Sequence, residues 1–382
     1  MSTKRPRADK PLFTPGPLTT SAAVKRAMLR DLGSRDGEFM DVVRAVRHGL
    51  LGVAGVSQQA GYEAVPVQGG GTFGVEAVLT CAAPPGGKWL IVSNGAYGER
   101  MARICQVHRI DHAVLRCPED ARPDPAALGR ALSADPAVTG VAAVHCETTT
   151  GILNPAGEIG RVTKAHGKTY ALDAMSAFGG VEFDLPASGA DFLVSSSNKC
   201  VEGVPGLSFC LCRRDALLAT AGRARTLSLD LFDQWRALEQ TGQFRFTPPT
   251  HVVLALARAL EELAAEGGVP GRAARYRANQ ATLLAGTRGL GFVEYLPPHL
   301  QSPILTSFRY PADPRFDFAA FSGRLNELGF VIYPGKVSAA DCFRVGTIGR
   351  IFPDDVRALL RAVATYCRET LAHDELFAET RS

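Results

Sequence analysis

The sequence predicts an α/β protein with a large, mostly parallel sheet domain, followed by a smaller C-terminal α+β domain. Three observations carry this reading. Apolar runs of strand length alternate with helical patterns over most of the chain. Most of those runs are apolar on both faces, as strands covered by helices on either side are. The alternation then stops near residue 250, where long helical patterns and separate strands take over.

Residues 1–11 read as a polar lead-in, 12–255 as the large domain and 256–382 as the small one. The strands expected in the large domain are Glu63–Gln68, Lys88–Ser93, Gly140–His145, Thr169–Asp173, Asp191–Ser196 and Leu207–Cys212. Helices are expected at Thr72–Ala82, Tyr97–His108, Asp124–Ala134 and Ile159–His166. Thr250–Ala265 reads as a long helix closed by Gly267 and Gly268, and Arg272–Gly289 as a second. Further strands are expected at Ile304–Tyr310, Val331–Pro334 and Cys342–Gly346, with a helix at Asp317–Leu328 between the first two. The last helix opens at Pro353, carries Asp354 and Asp355 in its first turn, and places Val356, Leu359, Leu360 and Val363 on one face.

Composition narrows the function. The chain has 382 residues, of which 46% are hydrophobic and 21% charged, ordinary values for a folded protein. The net charge of +4 is spread along the chain, so no nucleic-acid partner is expected. No apolar run reaches the ~18 residues of a membrane span, and no apolar stretch follows the basic start. Nine cysteines without framework spacing point to a reduced, cytoplasmic setting.

Between an expected strand and an expected helix lies Gln68-Gly69-Gly70-Gly71-Thr72-Phe73-Gly74. Its glycines allow close backbone approach, and the free N–H groups of a helix start favour an anion. The acidic residue that a dinucleotide site requires at the end of the next strand is missing, so a phosphate cradle or a plain tight turn remains. The string His145-Cys146-Glu147 opens a zinc-deaminase signature, but its second half is missing, and no metal site is expected. Asp173 ends a buried strand, where open α/β sheets bind ligands. Lys199 follows the next apolar strand. Alone, such a lysine is a surface residue. With a strand-end aspartate and a phosphate turn before it, the set matches what pyridoxal phosphate requires: an amine for the Schiff base, a carboxylate for the pyridine nitrogen, and a phosphate cradle.

With these residues in hand, the sequence resembles the class V, fold-type I aminotransferases over about Leu12 to Cys367. The resemblance rests on Phe13-Thr14-Pro15-Gly16-Pro17, Ser93-Asn94-Gly95-Ala96-Tyr97-Gly98, His145-Cys146-Glu147-Thr148-Thr149-Thr150-Gly151, Leu172-Asp173-Ala174-Met175-Ser176 and Ser197-Asn198-Lys199-Cys200. Phe246-Thr247-Pro248-Pro249-Thr250-His251, Tyr333-Pro334-Gly335-Lys336-Val337-Ser338 and Asp341-Cys342-Phe343-Arg344 continue it.

The resemblance implies a seven-stranded large sheet and pyridoxal 5'-phosphate as cofactor. It implies that Lys199 carries the cofactor and shuttles the proton, and that Asp173 pairs with the pyridine nitrogen. Tyr97 would stack on the ring, Thr148 and Asn198 would lie beside it, and Gly70, Gly71 and Thr72 would hold the phosphate. Thr247 would reach the phosphate of a neighbouring subunit, which implies a homodimer with shared sites. Gly16, Lys336 and Arg344 would lie at the substrate, with Arg344 clamping its carboxylate. Gly70, Thr72 and Pro248 stand where relatives often carry serine.

The narrower strings, Tyr-Pro-Gly-Lys-Val-Ser above all, imply amino transfer from 2-aminoethylphosphonate to pyruvate, a step of phosphonate catabolism. Alternatives on the same scaffold are an alanine–glyoxylate or serine–pyruvate aminotransferase, a lyase such as a cysteine desulfurase, and a non-catalytic protein that binds the cofactor.

Overall fold

A computed structural model describes residues 9–335, 337 and 340–371. Seven strands form the main sheet: β1 (Tyr62–Gln68), β2 (Lys88–Ser93), β3 (Asp111–Arg116), β4 (Val138–Val144), β5 (Thr169–Asp173), β6 (Phe192–Ser196) and β7 (Leu207–Arg213). Their order is β1-β7-β6-β5-β4-β2-β3. Only β7 runs against its neighbours; the pairs β2–β3, β2–β4, β4–β5 and β5–β6 are parallel. The sheet is therefore seven-stranded and mostly parallel, as the resemblance implies. After β2 the chain steps outward to β3 and then returns to the other side of β2 for β4. That reversal opens a crevice at the carboxyl ends of β2 and β4, the place where open α/β sheets bind ligands.

Both faces of these strands are covered, which explains their unbroken apolar character. On β2, Leu90 and Val92 pack into one core with the helices Gly37–Val53 and Thr250–Ala265. Trp89 and Ile91 point the other way, into a core with the helices Gly71–Ala82 and Ala96–Val107.

A second sheet has the order Leu12–Phe13, Val331–Pro334, Cys342–Gly346, Leu305–Arg309. Its first strand comes from the beginning of the chain and pairs in parallel with Val331 and Ile332. Phe13, Phe292, Phe308, Phe321, Phe343 and Tyr366 fill the core beneath it. The closing helix Pro353–Thr370 starts at the expected proline, and Val356, Leu359 and Val363 are buried. One helix starts earlier than expected, at Gly268 rather than Arg272. Gly267 takes a left-handed φ of 93° between the two helices, and Pro270 falls in the first turn, where no N–H partner is needed.

Candidate active site

The carboxyl ends of β2, β4, β5 and β6 enclose a cavity of about 220 Å³. It is lined by Gly70, Gly71, Thr72, Tyr97, Thr148, Asp173, Asn198 and Lys199, among others. Residues spread over more than a hundred positions of sequence thus meet because each follows or ends a neighbouring strand.

Asp173 closes β5 and is buried, with one oxygen accepting the Met175 N–H at 2.9 Å. Burial pushes its carboxyl up to about 6, and the nearby Glu147 adds to this while Arg100 and Lys199 oppose it. A buried carboxylate so placed calls for a cation against it. Lys199 follows β6 and points its Nζ at the Pro15 carbonyl, 2.7 Å away. Burial holds its pKa below the usual lysine value, and the charge of Arg344 pushes in the same direction. Gly16 belongs to the same wall: a β-carbon there would collide with the Lys199 side chain, and its φ is +128°.

The loop that carries Lys199 is pinned from behind. The Lys199 carbonyl accepts the Glu202 N–H at 2.7 Å, and the Cys200 carbonyl accepts Arg272 Nη1 at 2.6 Å. Arg272 is fully buried and pairs with Glu266 at 2.6 Å, while Arg275 bridges Glu202 and Glu266. Glu266, Arg272 and Arg275 carry no signal in the sequence, because each lies more than sixty positions from the lysine, and Glu202, three positions after it, finds its partners only there.

The helix Gly71–Ala82 begins at the cavity. Its cap residue, Gly70, provides no side-chain acceptor; the Phe73 N–H bonds to the Gly70 carbonyl at 2.9 Å, and the N–H groups of Gly71 and Thr72 remain available to an anion. A β-carbon at Gly71 would displace the Sδ and Cε end of Met175, another residue of the cavity wall. Arg100, one turn past Tyr97, adds positive charge at this end: its Nη1 donates to Thr72 Oγ1 at 3.2 Å and its guanidinium lies 4.7 Å from the Tyr97 ring centre. Arg100 stands in no motif of the sequence and joins the site only through the fold.

Arg344 comes from the second sheet. It is 3% exposed, donates to the Pro334 carbonyl and the Thr148 carbonyl at 2.9 Å each, and hydrogen-bonds the Tyr97 side chain. Burial lowers its pKa, yet a guanidinium stays charged at neutral pH. Asn198 accepts the Ser196 hydroxyl at 3.0 Å. Thr247 is exposed and does not line this cavity. Lys336 lies outside the described residues.

The pocket thus presents an amine, a buried carboxylate in need of a cation, a glycine-opened helix N-terminus and an aromatic ring. That donor set fits pyridoxal phosphate, which brings a ring nitrogen, a phosphate, an aldehyde and a flat ring face. The fold and this site define a pyridoxal-phosphate aminotransferase, and the comparisons agree. The aminotransferase class-V family model matches residues 20–337, and the chain belongs to that family. A relative from Syntrophobacter fumaroxidans, named 2-aminoethylphosphonate–pyruvate transaminase, is 52% identical over 352 residues, 92% of this chain and 94% of its own. One of the same name from Salmonella schwarzengrund is 51% identical over 356 residues, 93% of this chain and 96% of its own. Among solved structures, pyridoxamine–pyruvate aminotransferase from Mesorhizobium loti superposes with a TM-score of 0.86 at 25% identity, covering 96% of this chain and 94% of that one. Alanine–glyoxylate aminotransferase from Nostoc sp. gives 0.87 at 25% identity, covering 96% and 97%.

Proposed function

We propose that this aminotransferase moves the amino group of 2-aminoethylphosphonate to pyruvate, releasing phosphonoacetaldehyde and L-alanine. The observation that carries the substrate assignment is the name shared by relatives at 51–52% identity over more than nine tenths of both chains. The buried Arg344 at the site supports it, since both substrates are anions that visit the site in turn.

When bound, pyridoxal phosphate supplies an electron sink that acidifies the carbon–hydrogen bond beside the amine. The residues of the chain do the rest. The N–H groups at Gly71 and Thr72, with the Thr72 hydroxyl, hold the phosphate, and Gly70 leaves the approach open. Asp173 holds a proton at the ring nitrogen. A cation there reverses the burial penalty that otherwise pushes this carboxyl up to about 6. Tyr97 covers one face of the ring, and Thr148 and Asn198 bound its edge. Lys199 Nζ would serve as the base that takes the proton from the substrate carbon and holds it for the transfer. Burial lowers its pKa and so favours the neutral amine that this transfer needs. The Arg344 fork binds the carboxylate of pyruvate and the phosphonate of the amine. Gly16 keeps the wall beside Lys199 thin, and Lys336 offers a second cation to the phosphonate.

Thr247, exposed on one subunit, reaches the phosphate of the other in a homodimer with shared sites. The absence of a helix long and apolar enough to cross a membrane among the described residues, and the nine free thiols of which eight are buried, fit a cytoplasmic enzyme.

A panel of donors and acceptors tests the assignment. With pyruvate as acceptor, 2-aminoethylphosphonate should give the highest kcat/KM and yield alanine. Preference for alanine or serine as donor, or for glyoxylate as acceptor, would leave the cofactor chemistry standing and replace the substrates.

A further inference from the structure

One carboxylate behind the wall of the site, between Cys146 and Thr148 of its lining, has no role in the reaction as written. Glu147 is fully buried. We infer that Glu147 is a positioning residue: together with Thr149 it caps the helix Ala96–Val107 from outside and so fixes Tyr97 against the cofactor. The inference rests on the cofactor seat proposed above.

The helix needs such a cap. Its first residues follow Gly95, which has no side chain to satisfy the opening N–H groups. The Ala96 N–H donates to Thr149 Oγ1 at 2.9 Å and the Tyr97 N–H to Glu147 Oε2 at 3.2 Å. The Gly98 N–H also bonds to Glu147. Thr149 itself donates its N–H and its hydroxyl to Glu147 Oε1, at 3.0 and 2.6 Å. Four donors converge on one carboxylate, at the end of a helix whose dipole favours negative charge.

The surroundings are built to this residue. A β-carbon at Gly95 would lie 2.5 Å from Glu147 Cγ and Cδ, so only glycine permits the approach. Glu147 also ends the first strand of a hairpin, Cys146–Glu147 against Ile152–Leu153, closed by the Gly151 N–H on the Glu147 carbonyl at 2.9 Å. The tip of that hairpin carries Thr148, whose carbonyl receives Arg344. One residue therefore serves both supports: its carboxylate holds the helix start at Tyr97, and its backbone closes the hairpin that carries Thr148 and receives Arg344. Burial raises its pKa, and the hydrogen bonds from Thr149, Tyr97 and Gly98 oppose that rise.

The test uses the holoenzyme as wild type, Glu147→Gln, Tyr97→Ala and the double variant. Glutamine keeps the shape but turns an NH2 group toward the donors that met one of the two oxygens, so those donors lose their acceptor. Glu147→Gln should lower kcat/KM for 2-aminoethylphosphonate about ten- to a hundredfold, mostly through kcat. It should also weaken the circular dichroism of the cofactor band at unchanged cofactor occupancy. If Glu147 acts through Tyr97, the double variant is no worse than Tyr97→Ala. Losses that multiply, or a Glu147→Gln enzyme with wild-type kcat and dichroism, overturn the inference. Should Glu147→Gln not fold, Thr149→Val, which removes the hydroxyl that accepts from Ala96 and donates to Glu147, must show the same fall in dichroism; an unchanged band overturns it. A wild-type protein with no cofactor band would overturn the seat itself, a distinguishable failure.

Discussion

Two cavities flank the same strand ends. The one holding Lys199 and Asp173 measures about 220 Å³. The other, about 610 Å³, lies on the opposite face of the sheet, under the helices Gly37–Val53 and Thr250–Ala265, with Phe178, Phe183, Leu193 and Leu263 in its walls. The larger one is almost wholly apolar. Its deepest titratable group, His145, is pushed down to about 4 by burial and is neutral at physiological pH. Its Glu182 is exposed and pairs with Arg277 at the surface. In the smaller cavity burial raises the pKa of Asp173 and lowers that of Lys199, bringing a carboxylate and an amine toward each other's range. Volume measures space, whereas opposed shifts of paired groups mark chemistry.

Substitutions can break or sharpen this contrast. The largest effect is expected at Lys199. Lys199→Ala should reduce turnover by roughly a thousandfold or more, since it removes both the covalent anchor and the base, and single-turnover kinetics would measure it. Next is Asp173→Asn, which should cut kcat by about a hundredfold or more because the ring nitrogen loses its partner.

The same substitution has a pH signature in the cofactor-free protein. A carboxyl raised from its ordinary value of 3.8 to about 6 binds protons more tightly when folded. The stability it contributes is present below its unfolded pKa and is lost as pH rises through about 6. Unfolding midpoints of wild type should therefore fall relative to Asp173→Asn between these values, and the difference should shrink when the cofactor is added.

Arg344→Lys should raise KM for pyruvate and lower kcat/KM by about ten- to a hundredfold, because an ammonium cannot replace the planar fork. The smallest effect on activity belongs to the large cavity. Leu263, 1% exposed, lines it. Leu263→Ala should cost about 2–5 kcal/mol of stability while leaving kcat/KM within about twofold, as calorimetry and initial rates would register. A large loss of activity there would erase the distinction between the two cavities.

The legible parts of the sequence were those with a local pattern. The central strands stand out because both faces are buried, and Asp173 and Lys199 stand out because each terminates such a run. The edge strand β3 was not legible: Asp111–Arg116 has only one neighbour and is half-exposed, so its apolar pattern is weak. The strand Leu12–Phe13 has two residues and a partner more than three hundred positions away. The helix Gly37–Val53 contains Gly37, Gly49 and Gly52, which blur its periodicity. Glu147 stands in an incomplete metal string and in a family string, and neither gives it a role, because its partner Tyr97 lies 50 positions earlier. The Arg272–Glu202–Glu266 cluster escaped for the same reason.

The most direct measurement is the absorbance of the purified holoenzyme before and after adding 2-aminoethylphosphonate without pyruvate. The visible cofactor band should give way to the near-ultraviolet band of the amine form, and pyruvate should restore it with release of alanine. A band that ignores 2-aminoethylphosphonate but responds to alanine or serine would contradict the proposed substrate.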